Sequence, residues 1–281
     1  MLSIRQVFAR TPVTLWDTWL AILWQASFIL CLDQLYEVGR GLIPSRPHKA
    51  MDNALRIIHW ENSHQIFREP SIQRYWLGNP HFLGWWQIPR GWIIDGLNMY
   101  YLYAHFLGTA LFLIWLYFRR RTAFRFVRDI IFTSTAISFI IFIVFPTAPP
   151  RLVPHQLLVG VPDRFRFVDT LTLWLDPRLQ KMQVGYNPYA AMPSLHFVWA
   201  LIVGITLFLV GRNLAVRLLG PLYVAMMLAT ILISANHYIL DAVGSVVVVA
   251  VATTLVWLVD SVASGRLRLG SAWSPRQPFP T

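Results

Sequence analysis

Residues 182–211 read MQVGYNPYAAMPSLHFVWALIVGITLFLVG and carry no formal charge over 30 residues. A helix needs about 20 mostly apolar residues to cross the hydrocarbon core of a bilayer. The C-terminal part of this stretch approaches that length, and its more polar N-terminal part would then lie at one membrane surface. The stretch therefore predicts a membrane helix from about residue 194, preceded by a polar segment.

Uncharged stretches of similar length recur along the chain, at 96–118, 130–150, 218–240 and 242–259. A less regular apolar run contains Asp17, and it continues through bulky residues where a signal peptide would have a small-residue cleavage site. We therefore expect an uncleaved anchor there. The sequence predicts an all-α, polytopic membrane protein with six transmembrane helices, near 15–35, 97–118, 129–147, 194–211, 216–236 and 240–259.

The composition excludes other classes of protein. Hydrophobic residues make up 56% of the chain, aromatic residues 15% and charged residues 13%. That is too little charge for a soluble surface and too many rings for a disordered chain. The basic residues that give the net charge of +11 are dispersed, so no nucleic-acid partner is expected. The single cysteine, Cys31, cannot form an internal disulfide and is too isolated to suggest a zinc site.

The distribution of basic residues predicts the orientation. Half of the 24 Lys and Arg residues fall in short segments that share one side if the N-terminus is cytoplasmic, and the others spread over two long loops at 36–95 and 148–193. Basic residues in short loops favour the cytoplasm, so both long loops should face outward. All basic residues except Lys49 and Lys181 are arginines, as in GC-rich bacterial genomes, which predicts a bacterial plasma membrane.

The chain is expected to form one six-helix membrane domain at 1–264, with a catalytic core at about 97–259. A flexible cytoplasmic tail should follow at 265–281. Within the outer loops, residues 50–77 and 170–182 mix apolar and charged side chains. This pattern predicts helices that either lie in the headgroup layer or pack over the outer end of the bundle.

Two polar clusters could carry chemistry. Ser194 follows a proline and is a plausible N-cap, so His196 would lie in the first turn of a helix whose N-terminus can bind an anion. If residues 237–241 are helical, His237 and Asp241 share one face, and the carboxylate could fix the tautomer of the imidazole. The 41 residues between the histidines allow one span inward and one outward, so both should return to the outer surface.

Arg151 follows the third predicted span on the same surface, and its guanidinium suits a phosphate group. Each of these residues alone is more commonly structural, because a lone histidine is usually a satisfied polar residue and a terminal arginine usually reaches for headgroups. Together they predict a phosphoryl-transfer site.

At these residues the sequence resembles the type 2 phosphatidic acid phosphatase (PAP2) superfamily. Residues 193–196, Pro-Ser-Leu-His, resemble its second motif, and the His-x-x-x-Asp at 237–241 resembles its third. The similarity is closer to the inositol-phosphotransferase branch (the inositol phosphorylceramide synthase-like proteins) and its actinobacterial relatives. Members of this branch carry Ala-Pro-Pro-Arg-Leu, here 148–152, and Asn-Pro-Tyr-Ala-Ala-Met-Pro-Ser-Leu-His, here 187–196.

The resemblance implies a catalytic role for each of three residues. His237 would attack the phosphorus to form a phosphohistidine, Asp241 would orient it, and His196 would act as the acid and then the base. The residues expected to bind the substrate are Arg151, Ser194, Asn187 and Tyr189. No metal or cofactor is implied.

Three positions depart from the wider superfamily. Its first motif starts with a lysine where this chain has Val144, and its third motif has Ser-Arg where this chain has Thr230 and Ile231. The transferase branch also tends to lack these residues, so their absence puts the simple lipid phosphatase function in doubt.

The leading prediction is an integral membrane phosphotransferase that acts on a lipid phosphate or phospholipid headgroup, with phosphoinositol as one candidate. A phosphatase transferring to water is the alternative within the family, and the acceptor stays open. Outer-loop carboxylates that could hold a polyol are Asp163, Asp169 and Asp176.

Other classes of protein are weighed against the enzyme. A transporter would explain polar residues within spans, such as His105, but the inverted repeat or broken helix pair of many transporters is not seen. In an enzyme, His105 could line the substrate cavity or bond a carbonyl of a neighbouring helix, and the second is expected. A metalloenzyme would need a third and a fourth ligand beside His237 and Asp241, and only His196 or His155 is available. A non-catalytic scaffold would not need the His–Asp pair.

Overall fold

The computed structural model describes residues 46–77, 91–158, 167–171 and 188–264. The predicted first span, the predicted tail and Asn187 lie outside these residues. The described part is helical and contains no strand, which confirms the all-α class there. Its α-helices, numbered in chain order, are α1 (Pro47–Ser63), α2 (Glu69–Leu77), α3 (Gly91–Arg119), α4 (Arg121–Val144), α5 (Leu195–Val210), α6 (Leu214–Ile233) and α7 (Ile239–Ala263).

Four of these helices, α3, α4, α6 and α7, are long and apolar enough to cross a membrane. Helix α5 is apolar but has only 16 residues. It packs against all four of the longer helices and therefore lies at the centre of the bundle. The protein is therefore a membrane protein built around a central short helix.

Helix boundaries differ from those predicted at both ends of the bundle. The prediction of a loop at 119–128 is wrong, because α4 begins at Arg121 and only Arg120 breaks the helical run. Helix α3 likewise begins at Gly91, before the predicted 97, and includes Asp95. Charge-free stretches locate the apolar part of a helix, but a helix continues into the headgroup and water layers wherever its backbone stays bonded.

Helices α5 and α6 approach closely at two glycines. A Cβ atom built on Gly204 would lie 2.7 Å from the carbonyl oxygen of Gly220, and one on Gly220 would overlap the carbonyl of Gly204. Small residues permit this close contact of backbones between membrane helices. The α5–α6 crossing fixes how the N-terminus of α5 lies beside the C-terminus of α6.

Helix α1 packs on the connection that follows α4. Asn53 Nδ2 donates to the Pro146 carbonyl at 2.9 Å, and Ala148 N donates to the Ala50 carbonyl at 3.1 Å. The apolar face of α1 is buried against residues of this connection and against Tyr238. The predicted outer segment at 50–77 thus forms helices that cover the end of the bundle where α4 ends and α7 begins, whereas residues 172–182 of the other predicted segment lie outside the described residues.

Candidate active site

The connection after α4 turns through a short 3₁₀ segment, Pro150–Leu152, that holds Arg151. The backbone N–H of Arg151 donates to the Ala235 carbonyl at 3.0 Å, and this bond joins the 3₁₀ turn to the segment that follows α6. The guanidinium donates through Nε to Asn236 Oδ1 and through Nη1 to Asp169 Oδ2, each at 2.7 Å. Only 5% of the Arg151 side chain is exposed. The two acceptors, Asn236 and Asp169, come from different chain segments and together fix the orientation of the Arg151 guanidinium.

The segment before α5 runs beside the same connection. Thr147 N donates to the Tyr189 carbonyl at 2.8 Å, and Ala191 N donates to the Thr147 carbonyl at 3.2 Å. The chain then enters α5 at Ser194, whose hydroxyl oxygen accepts from Phe197 N at 3.4 Å. The predicted N-cap is confirmed.

His196 lies in the first turn of α5, beside rings from α3. The Tyr101 ring stacks on the imidazole with 3.8 Å between ring centroids, and the His105 ring lies 5.7 Å away. Tyr101 belongs to a π-helical segment, Tyr100–Ala104, in the middle of α3. Such one-turn irregularities are frequent at functional sites, and this one brings an aromatic ring against the imidazole.

His237 lies in the turn between α6 and α7, where Ala235 adopts a left-handed backbone with φ of 52°. The premise that residues 237–241 form one helical turn is wrong, because α7 begins at Ile239. The pairing occurs nevertheless: His237 Nδ1 lies 3.2 Å from Asp241 Oδ2 and 2.8 Å from the Ala191 carbonyl oxygen. Asp241 Oδ2 also accepts from Tyr238 N at 3.0 Å, which caps α7.

Two acceptors at Nδ1 determine the protonation of the neutral imidazole. A carbonyl oxygen can only accept, so the Nδ1 atom of His237 carries the hydrogen and donates it. The lone pair is then on Nε2. The arrangement supplies a basic, oriented nitrogen whose tautomer is fixed by Ala191 as well as by Asp241.

The three predicted functional groups of Arg151, His196 and His237 line one small cavity at this end of the bundle. Its other lining residues are Tyr101, Phe142, Pro149, Pro188, Ala190, Ala191, Leu195 and Asn236. Ser194 and Asp241 lie behind this surface, where both are fully buried. The ring of Tyr189 packs against the apolar cluster on α1 and does not line the cavity.

Sequence reasoning missed Tyr101 and the acceptor role of Asn236. Asn236 adjoins His237 and was therefore visible as a polar neighbour, but its bond to Arg151 joins residues 85 positions apart. Tyr101 lies in an apolar run, and no sequence signal distinguishes it from an ordinary core residue. For His105, the expected bond to a helix carbonyl is wrong, because its Nδ1 lies 2.7 Å from the Tyr223 hydroxyl.

Among the residues that the structure describes, no group of three or more His, Cys, Asp or Glu side chains is arranged to hold a metal ion. His237 and Asp241 are close, but His237 Nδ1 and Asp241 Oδ2 already bond each other and so do not both face a metal ion.

The fold and the cavity define a class of protein: a helical membrane protein with a His–Asp pair, a second histidine and an arginine at one end of its bundle. The family model described as the PAP2 superfamily matches residues 56–255, and the chain belongs to that superfamily. Membership and the apolar helices together indicate a membrane phosphatase-type enzyme. No curated protein and no solved structure matches the chain significantly.

Proposed function

We propose that the protein is a membrane phosphotransferase that moves a phosphoryl or phospho-headgroup from a lipid to an acceptor through a phosphohistidine on His237. The observation that carries this proposal is the pair of acceptors at His237 Nδ1, Ala191 and Asp241, which leaves the Nε2 lone pair for the phosphorus. A histidine nucleophile is activated by such a partner on its other nitrogen.

In the first half-reaction, Nε2 of His237 attacks the phosphorus and the bond from phosphorus to the leaving oxygen breaks. His196 donates a proton to that oxygen. In the second, His196 takes a proton from the acceptor hydroxyl, whose oxygen attacks the phosphorus and breaks the P–N bond. The histidine nucleophile is thereby regenerated, and each proton that His196 gives is recovered.

Arg151 and Ser194 are proposed to bind the phosphoryl oxygens. The guanidinium lines the cavity and is held by Asn236, so a phosphate that entered would replace Asp169 at Nη1. Because Ser194 lies behind the cavity surface, it would contribute through the first-turn amides of α5 that it orients. Asn187 is proposed as a further substrate-binding residue from the motif alone, whereas Tyr189 would act through its ring packing on α1.

We propose that this end of the bundle faces outward from the plasma membrane of a bacterium. The opposite end carries five arginines at the end of α3 and in the first turns of α4, within residues 119–128, together with Arg212 and Arg217. Basic residues in short connections favour the cytoplasmic side. The cavity then opens at the outer leaflet, where a lipid can present its headgroup.

A lipid acceptor, with phosphoinositol as the group transferred, is favoured over water by the motifs at 148–152 and 187–196 that resemble the inositol-phosphotransferase branch. Hydrolysis is the second candidate, and membership of a superfamily of phosphatases favours it. The two differ only in whether an alcohol or water occupies the acceptor position.

An acceptor-dependence assay separates these two reactions. Purified protein is mixed with labelled phosphoinositol lipid, with and without candidate lipid alcohols. A transferase yields a labelled lipid product only when an alcohol is present, whereas a phosphatase releases the label to water in either case. The His237→Ala variant serves as the control and should give neither product. Activity that disappears with a chelator and returns with a metal would contradict the metal-independent mechanism.

A further inference from the structure

Two glutamates of the outer helices are buried without any predicted role. Glu61 near the end of α1 and Glu69 at the start of α2 are both 0% exposed. Buried carboxyl groups are costly unless they are bonded, so their partners need an explanation.

Both carboxyl groups bond the beginning of α7. Glu69 Oε1 accepts from Ile239 N and Glu61 Oε1 accepts from Leu240 N, each at 2.7 Å. Asp241 Oδ2 accepts from the preceding amide, Tyr238 N, at 3.0 Å. A helix leaves its first amide N–H groups without internal partners. Here three consecutive amides each have a carboxyl group of their own, two of which come from about 170 residues earlier in the chain.

The second oxygens of the two glutamates have no hydrogen-bond partner in the described part of the chain. Glu61 Oε2 and Glu69 Oε2 are both buried there, and Glu69 lies close enough for its charge to act on Glu61. A proton retained on Glu61 would give this carboxyl group a hydrogen to donate towards Glu69, because a protonated carboxyl group donates and an ionised one accepts. Two carboxyl groups that share a site retain one proton in this way.

The electrostatics agree with a shared proton. Burial, followed by the neighbouring Glu69, raises the pKa of Glu61 from 4.5 to about 9, and burial also raises the pKa of Glu69. Among the described residues, the other titratable groups that face the pair are Asp241, whose charge acts on both glutamates, and Tyr238, whose hydroxyl donates to the Ala148 carbonyl.

We propose that Glu61 and Glu69 form a proton-sharing clamp that positions His237, and this inference rests on the proposed function of His237. The clamp holds Ile239 and Leu240 by their backbone, and His237 lies two residues before the first of them. The same turn contains Asn236, which bonds Arg151. A shift of the start of α7 would therefore displace the nucleophile, whereas Arg151 would keep its bonds to Asp169 and to the Ala235 carbonyl.

The clamp links the outer helices to catalysis by geometry. A displacement of about 1 Å at a reacting group can reduce turnover by about 10²-fold. Removing one carboxyl group leaves an unbonded amide in α7 and an unbonded oxygen on the other glutamate, so the helix start is free to move. The clamp should affect turnover more than substrate binding, because Arg151 still holds its other contacts.

The test compares substitutions at Glu61, which alter the clamp in different ways. Glu61→Gln retains an oxygen for Leu240 N and an amide donor for Glu69, so kcat near neutral pH should stay within about threefold of the wild type. Glu61→Ala and Glu69→Ala should lower kcat by about 10²-fold with KM changed less than about threefold. Asp52→Asn, which removes an exposed carboxylate from the same helix, is the matched control and should change neither value.

The pH profile adds a readout that a merely structural role would not move. As pH rises through about 9, the wild type loses the shared proton and two buried carboxylates repel each other, so kcat should fall. Glu61→Gln has no proton to lose there and should retain its activity further into the alkaline range. A Glu61→Gln profile that coincides with that of the wild type would overturn the clamp, as would an unchanged kcat in Glu61→Ala.

Thermal unfolding tests the shared proton without any substrate. The pKa of Glu61 is raised in the folded protein, so its contribution to stability is complete below about pH 4.5 and is lost as pH rises toward about 9. Between these values the Tm of the wild type should fall more steeply with pH than that of Glu61→Gln. Parallel Tm curves would overturn the shared proton.

The two proposals fail in different ways. A wild-type protein that transfers no phosphoryl group would overturn the proposed function, and with it the positioning role, whatever the Tm curves show. An active wild type with any of the contrary results above would overturn the clamp alone. If Glu61→Ala or Glu69→Ala does not fold, the activity profile and Tm curve of Glu61→Gln still decide the matter.

Discussion

Replacing Asp241 by asparagine tests how the nucleophile is oriented. In the structure, His237 Nδ1 has two acceptors, the Ala191 carbonyl at 2.8 Å and Asp241 Oδ2 at 3.2 Å. The backbone carbonyl is the closer of the two, and no side-chain substitution removes it. Asp241→Asn keeps an oxygen that can accept from Tyr238 N, so the cap of α7 is preserved while the negative charge is lost.

The expected loss follows from the contacts that remain. Where the carboxylate alone fixes the tautomer of a catalytic histidine, its conversion to an amide costs about 10⁴-fold in turnover. Here Ala191 retains the hydrogen on Nδ1, so only the difference between a charged and a neutral acceptor is lost. That difference is about 1–1.5 kcal/mol, which corresponds to about a 5- to 15-fold decrease in kcat.

The assay is single-turnover transfer from labelled lipid, measured together with thermal unfolding in the same detergent. Asp241→Ala is the companion variant, because it also removes the acceptor for Tyr238 N and should lower stability by about 0.5–2 kcal/mol. A decrease near 10⁴-fold in Asp241→Asn, with an unchanged Tm, would refute the reasoning that the Ala191 carbonyl fixes the tautomer.

Three further predictions concern the phosphate group, the topology and the packing. Arg151→Lys keeps the charge but loses the fork that bonds Asn236 and Asp169. The loss of one charged hydrogen bond, about 1.5–3 kcal/mol, should lower kcat/KM by about 10- to 150-fold without a change in fold. Near-normal turnover would mean that Arg151 is only a headgroup anchor. A cysteine introduced at Thr122, in a background without Cys31, should resist membrane-impermeant reagents in intact cells, and labelling from outside would reverse the proposed orientation. Gly220→Ala should lower stability by about 1–3 kcal/mol, because its Cβ overlaps the α5 backbone; Gly96→Ala, which meets nothing within 4 Å, is the control for the Tm measurement.

Charge-free stretches and short motifs could predict only those features that depend on residues close together in the sequence. The apolar run after Ser194 and the cap at that residue depend on neighbours within a few positions, and both appear in the structure. The pairing of His237 with Asp241 was also foreseen, although the backbone between them forms a turn followed by the first residues of α7 and not one helical turn. Local patterns thus identified the paired residues but not the backbone conformation between them.

What the sequence could not predict depends on contacts between distant segments. The Ala191 carbonyl meets His237 across 46 residues, and Glu61 meets Leu240 across 179. The two outer glutamates lie in an amphipathic stretch where charged residues are usually solvated, so nothing in the local pattern separates them from exposed carboxylates. Their burial is visible only once α1 and α2 are placed over the start of α7.

The central claim is that His237 is the nucleophile, and trapping of the phosphoenzyme tests it most directly. Labelled substrate is mixed with the protein and the reaction is stopped with a denaturant at alkaline pH, where a phosphohistidine survives and from which acid releases it. A substrate with a good leaving group, such as a nitrophenyl phosphate ester, needs no proton from His196. The wild type and His196→Ala should therefore both retain label, with His196→Ala slowed by about 10²–10⁴-fold when the natural leaving group is used. No label should be trapped in His237→Ala, and label at the wild-type level in that variant would contradict the role of His237 as the nucleophile.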